Sequence, residues 1–291
     1  MKSTFKNIVL FMMTLSNLSI SDIYGQQSDN IRLISYAENT NKIDLSYNDN
    51  NLLTSIGYTT LNYDSESRID QIGKVSYAYN ELGQISKIIN EKTASLGNLE
   101  TEITYDKDSL ITSFVSKYGK ADLGTATSTF EYDKNKRLKR IIEKGADGRG
   151  YGRITLAYDD KNNIVQQLKE KSYDGTSYRQ VTVSNYTYDT KNNPDYNVLT
   201  QTGNSSEINL FHLIYNIAIG GQSAYETVYY YSKNNILSSE VISVEGNAAT
   251  QTYSYVYDKN NYPVSAELEY AFSSDTSFNR KETRAWVYEK Y

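Results

Sequence analysis

Few side chains in this sequence could carry catalysis. A nucleophilic serine or threonine needs a base within reach, and His212 is the only histidine among 291 residues, which include no cysteine. A zinc site with one histidine and no cysteine would need several carboxylates as ligands. We expect His212 to lie in the polar stripe of a helix or in the core, with a buried acid/base group as the alternative. We predict no catalytic residue, no cofactor and no metal ion.

Runs of Asp and Asn at 48–51, 106–108 and 159–163 could bind Ca²⁺, which prefers oxygen ligands. Each run lacks the glycine and the distal glutamate of an EF-hand loop, and each directly follows a tyrosine. Asp and Asn side chains also bond their own backbone and tolerate left-handed conformations, so we interpret the runs as turns. The glycine-rich stretch 145–152 has no Gly-Lys-Ser/Thr signature and is interpreted as a hairpin loop.

Aromatic side chains are better suited to binding, with 29 tyrosines against 7 phenylalanines and a single tryptophan, Trp286. Tyrosines on an open sheet face could stack against sugar rings, or they could form cross-strand ladders that stabilise the sheet. Trp286 shares the last strand with Tyr288. An exposed pair there would anchor a protein partner, whereas a buried pair would close the sheet. Trp286 and Tyr288 are therefore our candidate partner-binding residues.

The elements that position these residues come from a repeat. A tyrosine followed by Asp, Asn, Ser or Glu recurs ten times, at steps of 16 to 43 residues. After each of the first nine, a polar turn leads within five or six positions to Leu, Ile or Pro. The ten tyrosines are Tyr47, Tyr63, Tyr79, Tyr105, Tyr132, Tyr158, Tyr188, Tyr231, Tyr257 and Tyr288.

Each repeat predicts one antiparallel hairpin. Before the turn, apolar and aromatic side chains alternate, as in Val75, Tyr77 and Tyr79, and a period of two places them on one face of a strand. One hairpin cannot bury its apolar face, so neighbours must pair into a continuous meander of roughly 16 to 20 strands. A sheet of that size should curl or close. We predict an all-β fold with a strongly curved or barrel-like sheet.

The 43-residue step departs from this pattern. An Asn204-Ser-Ser-Glu207 capping signal and Gly220-Gly221 bound an apolar stretch with a narrow polar stripe, which predicts a helix near 205–219. A strand with the apolar residues of 211–219 on one face stays open as the alternative.

The N-terminal residues are typical of a secretory signal, with Lys2 and Lys6 before an apolar run too short to span a bilayer. We predict a signal peptide at 1–25 and one β domain at 26–291, with a retained anchor as the alternative. Without cysteine there is no lipid anchor at the cleavage site and no disulfide. A net charge of −5 lacks the basic footprint of a nucleic-acid-binding protein.

The motif Tyr132-Asp-Lys-Asn-Lys-Arg-Leu138 resembles the YD repeats of bacterial Rhs-type proteins. A closer resemblance is to a family of secreted Bacteroidetes proteins of unknown function with a porin-like fold, whose late motifs match the stretches 188–194, 208–219, 233–235 and 257–263. This resemblance covers most of 40–291. It implies a porin-like fold and no catalytic residue, and it does not extend to the lipoprotein cysteine of many members.

These observations predict an exported, non-enzymatic cell-envelope protein that binds or scaffolds another protein, for example as an accessory subunit of a surface adhesin or secretion assembly. Two alternatives are an integral outer-membrane β-barrel, which would fit alternating strands, and a glycan-binding module. The expected partner is another envelope or cell-surface protein, with membrane association and glycan binding left open. The expected location is the periplasm, the outer membrane or the cell surface.

Overall fold

The computed structural model describes residues 31–91, 97–119, 124–145, 150–194 and 232–290. Within these ranges the regular structure is β-strand, apart from one 3₁₀ turn at Thr276–Phe278. The predicted signal peptide at 1–25 and the predicted helix near 205–219, which contains His212, lie outside the described residues.

The described residues form eighteen strands, which follow one another along the chain. The first nine are β1 Ile31–Glu38, β2 Asn41–Tyr47, β3 Leu53–Ile56, β4 Thr59–Tyr63, β5 Ile69–Ile72, β6 Val75–Tyr79, β7 Ile85–Asn90, β8 Leu99–Tyr105 and β9 Ile111–Tyr118. The others are β10 Thr125–Tyr132, β11 Leu138–Lys144, β12 Tyr151–Tyr158, β13 Ile164–Ser172, β14 Arg179–Asn192, β15 Asn234–Ser243, β16 Ala248–Tyr257, β17 Pro263–Phe272 and β18 Arg280–Lys290.

The strands form a closed antiparallel barrel. Each strand pairs with its neighbours in chain order, and β1 also pairs with β18, with Tyr36 opposite Trp286 and Glu38 opposite Arg284. Short hairpin connections favour this order, and closure leaves no unpaired edge. The predicted all-β meander with a barrel-like sheet is confirmed.

The described tyrosine-led turns lie at one end of the barrel, which we call the turn end, and Tyr231 lies outside the described residues. In seven of them, the Oδ1 atom of the Asx residue accepts backbone N–H groups two and four positions on, as Asp133 does from Asn135 and Arg137 at 2.8 and 2.9 Å. A left-handed residue then starts the return, such as Lys136 with φ 62°. The seven such Asx residues are Asn48, Asp64, Asn80, Asp106, Asp133, Asp159 and Asp258. The interpretation of the Asp and Asn runs as turns is confirmed.

The repeat tyrosines form a ring just inside the turn end, which we call the tyrosine ring. In most of those described, the hydroxyl donates to the carbonyl of an inner residue on the preceding strand, as Tyr105 does to Ile85 at 2.7 Å. This geometry explains why the position is Tyr rather than Phe, because the hydroxyl ties each hairpin to the one before it. Eight tyrosines make this bond: Tyr47, Tyr63, Tyr79, Tyr105, Tyr132, Tyr158, Tyr188 and Tyr288.

Burial alternates along the strands, and the buried face is the inner one because a closed sheet encloses its concave side. On β8, Leu99, Thr101 and Ile103 are buried, whereas Glu102 and Thr104 are exposed. Inner aliphatic residues such as Ile85 and Ile88 are 0 % exposed. This inner layer is the hydrophobic core of the protein.

The wall of the barrel differs in height around its circumference. Strands β3–β7 have four to six residues and form what we call the low wall. Strands β12–β18 have eight to fourteen residues and form the tall wall. Since the turns align one end of the strands, the extra length of the tall wall lies at the opposite end, which we call the rim end.

Candidate functional site

The inner face of the tall wall becomes polar towards the rim end. The low wall lines the interior with Ile, Leu, Val and Tyr, whereas Gln167, Ser184 and Ser239 are buried inner residues of β13, β14 and β15. Ser239 bonds Gln251 on β16 at 3.1 Å. Buried polar side chains require hydrogen-bond partners. The inner face of the tall wall therefore depends on hydrogen bonds between side chains, whereas that of the low wall depends on apolar packing.

In the tall wall, the turn that follows Tyr188 is formed by residues from both sides of the long insertion between β14 and β15. Asp189 accepts the backbone N–H of Lys191 at 2.9 Å, as in the other turns, but its second backbone donor is Asn235, which lies after the insertion. The Asn235 side chain bonds the same carboxylate at 3.0 Å, and Tyr257 donates its hydroxyl there rather than to a carbonyl. Two distant segments thus rebuild one turn.

The two sequence-predicted site residues lie together on the strand that closes the barrel. Trp286 is 5 % exposed, and its ring centroid is 5.9 Å from Tyr36 and 6.2 Å from Tyr255. Tyr288 belongs to the tyrosine ring and donates to the Pro263 carbonyl at 3.0 Å. Both side chains therefore pack where the sheet closes. Their role in binding a partner stays a prediction.

Charged residues of the same parity as Trp286 lie on the inner face of β18, and the sequence analysis missed them. Arg284 Nη2 is 3.4 Å from Glu38, and Arg280 Nε is 2.5 Å from Glu282. Tyr270 donates to Glu282 at 3.0 Å. Alternation with Trp286 was the signal that could have identified them, because residues 280, 282, 284 and 286 share one face of a strand.

A cavity of about 530 Å³ opens at the rim end of β10–β14. Its inner-face lining follows the register across four strands: Ser128 is opposite Glu143, Glu143 is opposite Gly152, and Gly152 is opposite Lys171. Lys169 lies two positions nearer the turn end. Other lining residues come from the loops and the strand ends at the rim, including Gly145, Gly150, Tyr151, Tyr173, Ser177, Arg179 and Gln180.

Glu143 is the most perturbed carboxylate of this cavity. Burial raises its pKa to about 7, against the smaller opposing effects of Lys169 and Lys171. Its Oε1 atom is shielded from solvent and has no hydrogen-bond partner in the described part of the chain. Burial likewise lowers the pKa of Lys169. A Cβ atom at Gly152 would lie 2.9 Å from Glu143 Oε2, so the glycine makes room for the carboxylate.

Near the rim end, an ion pair joins β12 to β13, and aromatic side chains lie beside it. Arg153 makes a bidentate pair with Glu170 at 2.6 and 2.7 Å, and its guanidinium lies 4.1 Å from the Tyr178 ring centroid. Tyr173 is 92 % exposed at the mouth of the cavity. The Tyr151 ring lies against Gly175, where a Cβ atom would approach it to 3.0 Å.

The outer face of the barrel is polar over many strands. It carries the exposed residues Lys42 and Asp44 on β2, which form an ion pair at 2.7 Å. Cross-strand ion pairs elsewhere on this face are Lys87–Glu100 at 2.5 Å, Arg140–Glu131 at 2.7 Å, and Lys281–Glu269. Val256 and Val287 are apolar exceptions, at 58 % and 48 % exposed.

The described ranges contain no group of three or more His, Cys, Asp or Glu side chains that could hold a metal ion. They also contain no helix of the length and apolarity needed to cross a membrane.

Neither a protein-family model nor a curated protein matches the sequence. Among solved structures, the chain is similar to a porin-like protein from Bacteroides vulgatus ATCC 8482, at 12% identity and a TM-score of 0.42 over 88% of this chain and 98% of that one. A porin-like protein from Bacteroides uniformis ATCC 8492 matches at 15% identity and a TM-score of 0.45, over 91% and 94% of the two chains. The TcdB2-TccC3 structure matches at 10% identity and a TM-score of 0.35, over 86% of this chain and 15% of that one.

Porin-like Bacteroides proteins are therefore among the structural neighbours, as the sequence resemblance led us to expect. Membership of the YD-repeat group stays a prediction.

Proposed function

We propose that this chain is an exported, non-catalytic β-barrel of the cell envelope that works by binding. The observation that carries the proposal is the closed 18-strand sheet whose tall wall has a polar inner face and a cavity at the rim. A pocket of a few hundred cubic ångströms with convergent polar groups is the usual form of a small-molecule site. The secretory signal predicted at 1–25 supports export, and the single histidine and absent cysteine support a binding role.

The architecture favours an outer-membrane type of barrel over an accessory subunit of an adhesin or secretion assembly. Closed antiparallel barrels with an even number of strands joined in chain order are the form in which outer-membrane proteins are built. Closure and strand number therefore support the barrel alternative from the sequence analysis, and an integral outer-membrane barrel is the second candidate function.

The outer face bears on whether the wall contacts lipid. A membrane barrel needs an outward apolar band about 25 Å tall, and a lysine or arginine at its midplane costs about 2 to 4 kcal/mol. Here Lys42, Arg140 and Lys281 point outward from β2, β11 and β18. We therefore propose that the barrel stands in the aqueous part of the envelope, with its core inside the sheet.

Fractionation of cells that express the full chain tests this proposal. We expect the protein in the envelope fraction, released by alkaline carbonate and soluble without detergent as a single folded species. Retention in the cytoplasm would contradict export. Envelope protein that resists carbonate and dissolves only in detergent would instead establish the integral barrel. Hydrolysis of any member of a glycan panel by the purified chain would contradict the non-catalytic role.

A further inference from the structure

Three ionisable side chains of the rim cavity act on one another without direct contact. Lys169 and Lys171 act on Glu143 only through space, and the Oε1 atom of Glu143 has no hydrogen-bond partner in the described ranges. Buried side chains of opposite charge, such as Glu143 and Lys169, normally pair directly. All three side chains line the cavity, so a group bound in it can contact each of them.

The charge of the cavity favours an anion. Besides Arg153, its lining contains four basic residues: Lys144, Lys169, Lys171 and Arg179. Of its two acidic lining residues, Glu170 is neutralised by the bidentate pair with Arg153. Glu143 is the remaining acid, and burial raises its pKa to about 7, so it is partly protonated at neutral pH and can donate a hydrogen bond.

The shape and the other lining groups favour a sugar over a simple anion. A volume of about 530 Å³ is within the range of small-molecule sites. Ser128, Ser177 and Gln180 offer hydroxyl and amide groups to a polyhydroxylated ligand. The mouth carries Tyr151 and Tyr173, whose flat apolar ring faces can pack against a sugar ring.

We propose that the rim cavity binds an anionic saccharide. Its acidic group lies between Lys169 and Lys171, its hydroxyls bond Glu143 and Ser128, and one ring packs on the tyrosines at the mouth. This inference names the ligand class for the binding role proposed above and rests on that role. The acidic group is a carboxylate or a sulfate, which share the same demand for ammonium donors.

Isothermal titration of the purified full chain tests the inference with four probes: trigalacturonic acid, a sulfated chondroitin disaccharide, neutral maltotriose and citrate. Binding of either acidic sugar, with maltotriose and citrate at least about 10-fold weaker, supports the proposal and identifies the acidic group. Absence of binding by both acidic sugars overturns it. Equal binding of maltotriose overturns the anionic requirement, and equal binding of citrate overturns the saccharide requirement.

Variants separate a built site from general surface charge. We expect the double variant Lys169→Met and Lys171→Met to bind at least about 10-fold more weakly, since it loses two charge-assisted bonds. The matched control, Lys42→Met with Lys281→Met, removes two exposed outer lysines and should bind as the parent does. Equal weakening in both double variants would overturn the cavity as the site.

If the half-buried Lys169 proves necessary for folding, Lys171→Gln alone carries the test, because Lys171 is exposed and exposed substitutions usually change stability little. It should bind about 3-fold or more weakly, with unchanged circular dichroism, and unchanged affinity would overturn the proposal. Failure of binding would leave the fractionation result intact, so the envelope location and the ligand class fail separately.

Discussion

The low wall and the tall wall use the same hairpin motif for different purposes. Strands β3–β7 are four to six residues long, and their inner residues are apolar. Strands β12–β18 begin from the same tyrosine ring but continue for several residues more, and there the inner face carries Gln167, Ser184, Glu143 on the adjoining β11, and Lys169. The residues next to the turns form the hydrophobic core, and the additional length of the tall wall encloses the polar cavity.

The largest expected effect is on the low wall. Ile85 is 0 % exposed, and Ile85→Ala should lower the free energy of unfolding by about 3 kcal/mol, because it removes buried methyl groups and leaves a cavity. The tall-wall counterpart, Ser184→Ala, should cost less than about 1 kcal/mol. Urea denaturation of both variants measures the difference. Equal losses would contradict the contrast between the two walls.

The second effect concerns the tall-wall cavity and depends on pH. The folded-state pKa of Glu143 is raised to about 7 from an ordinary value of 4.5, so the folded state binds more protons between these values. Stability therefore falls as pH rises through that window, and the loss is complete above pH 7. Glu143→Gln should raise the free energy of unfolding by about 2 kcal/mol at pH 8 and leave it unchanged at pH 4.

Glu102→Gln is the matched control for this titration, because Glu102 is an exposed outer residue of β8. Its unfolding curves should follow those of the parent chain at both pH values. A gain at pH 8 in the control as large as in Glu143→Gln would mean that net charge, rather than burial, sets the effect.

The tyrosine ring offers a smaller, paired test. Tyr105→Phe removes one hydroxyl donor to the Ile85 carbonyl and should cost about 1 kcal/mol. Tyr257→Phe removes the donor to the Asp189 carboxylate and should cost about 2 kcal/mol, because hydrogen bonds to charged acceptors are stronger. Thermal unfolding of the two variants under the same conditions measures both losses of stability. A smaller loss for Tyr257→Phe would contradict the stronger hydrogen bond to Asp189.

The smallest effect is expected on the outer face. Arg140→Gln breaks the ion pair with Glu131 and should change the free energy of unfolding by no more than about 0.5 kcal/mol, since exposed pairs contribute little. Denaturation at low and at high salt measures it. A loss above about 2 kcal/mol would indicate that the outer face is covered in the native protein.

The sequence was most informative where structure is local. Tyrosine, Asx and the left-handed residue lie within six positions of one another, so turns and strand order followed from spacing alone. The acceptor of each tyrosine hydroxyl lies on another strand, for example twenty residues earlier for Tyr105, and could not be read from the repeat. The cavity depends on register across β11–β13, which brings Glu143 level with Gly152 and Lys171. That alignment is set by strand pairing in the folded protein and has no counterpart in the local sequence.

The pairing of β1 with β18 has a consequence for how the protein is made. Arg32 bonds Glu289, 257 positions further along the chain, so the ring of strands can close only after β18 has been synthesised. Hairpins can form one by one as the chain emerges, but the free edge of β1 remains exposed to intermolecular pairing until β18 pairs with it. Closure therefore requires a contact between residues far apart in the sequence, and deletion of β18 would leave an open sheet with two unpaired edges.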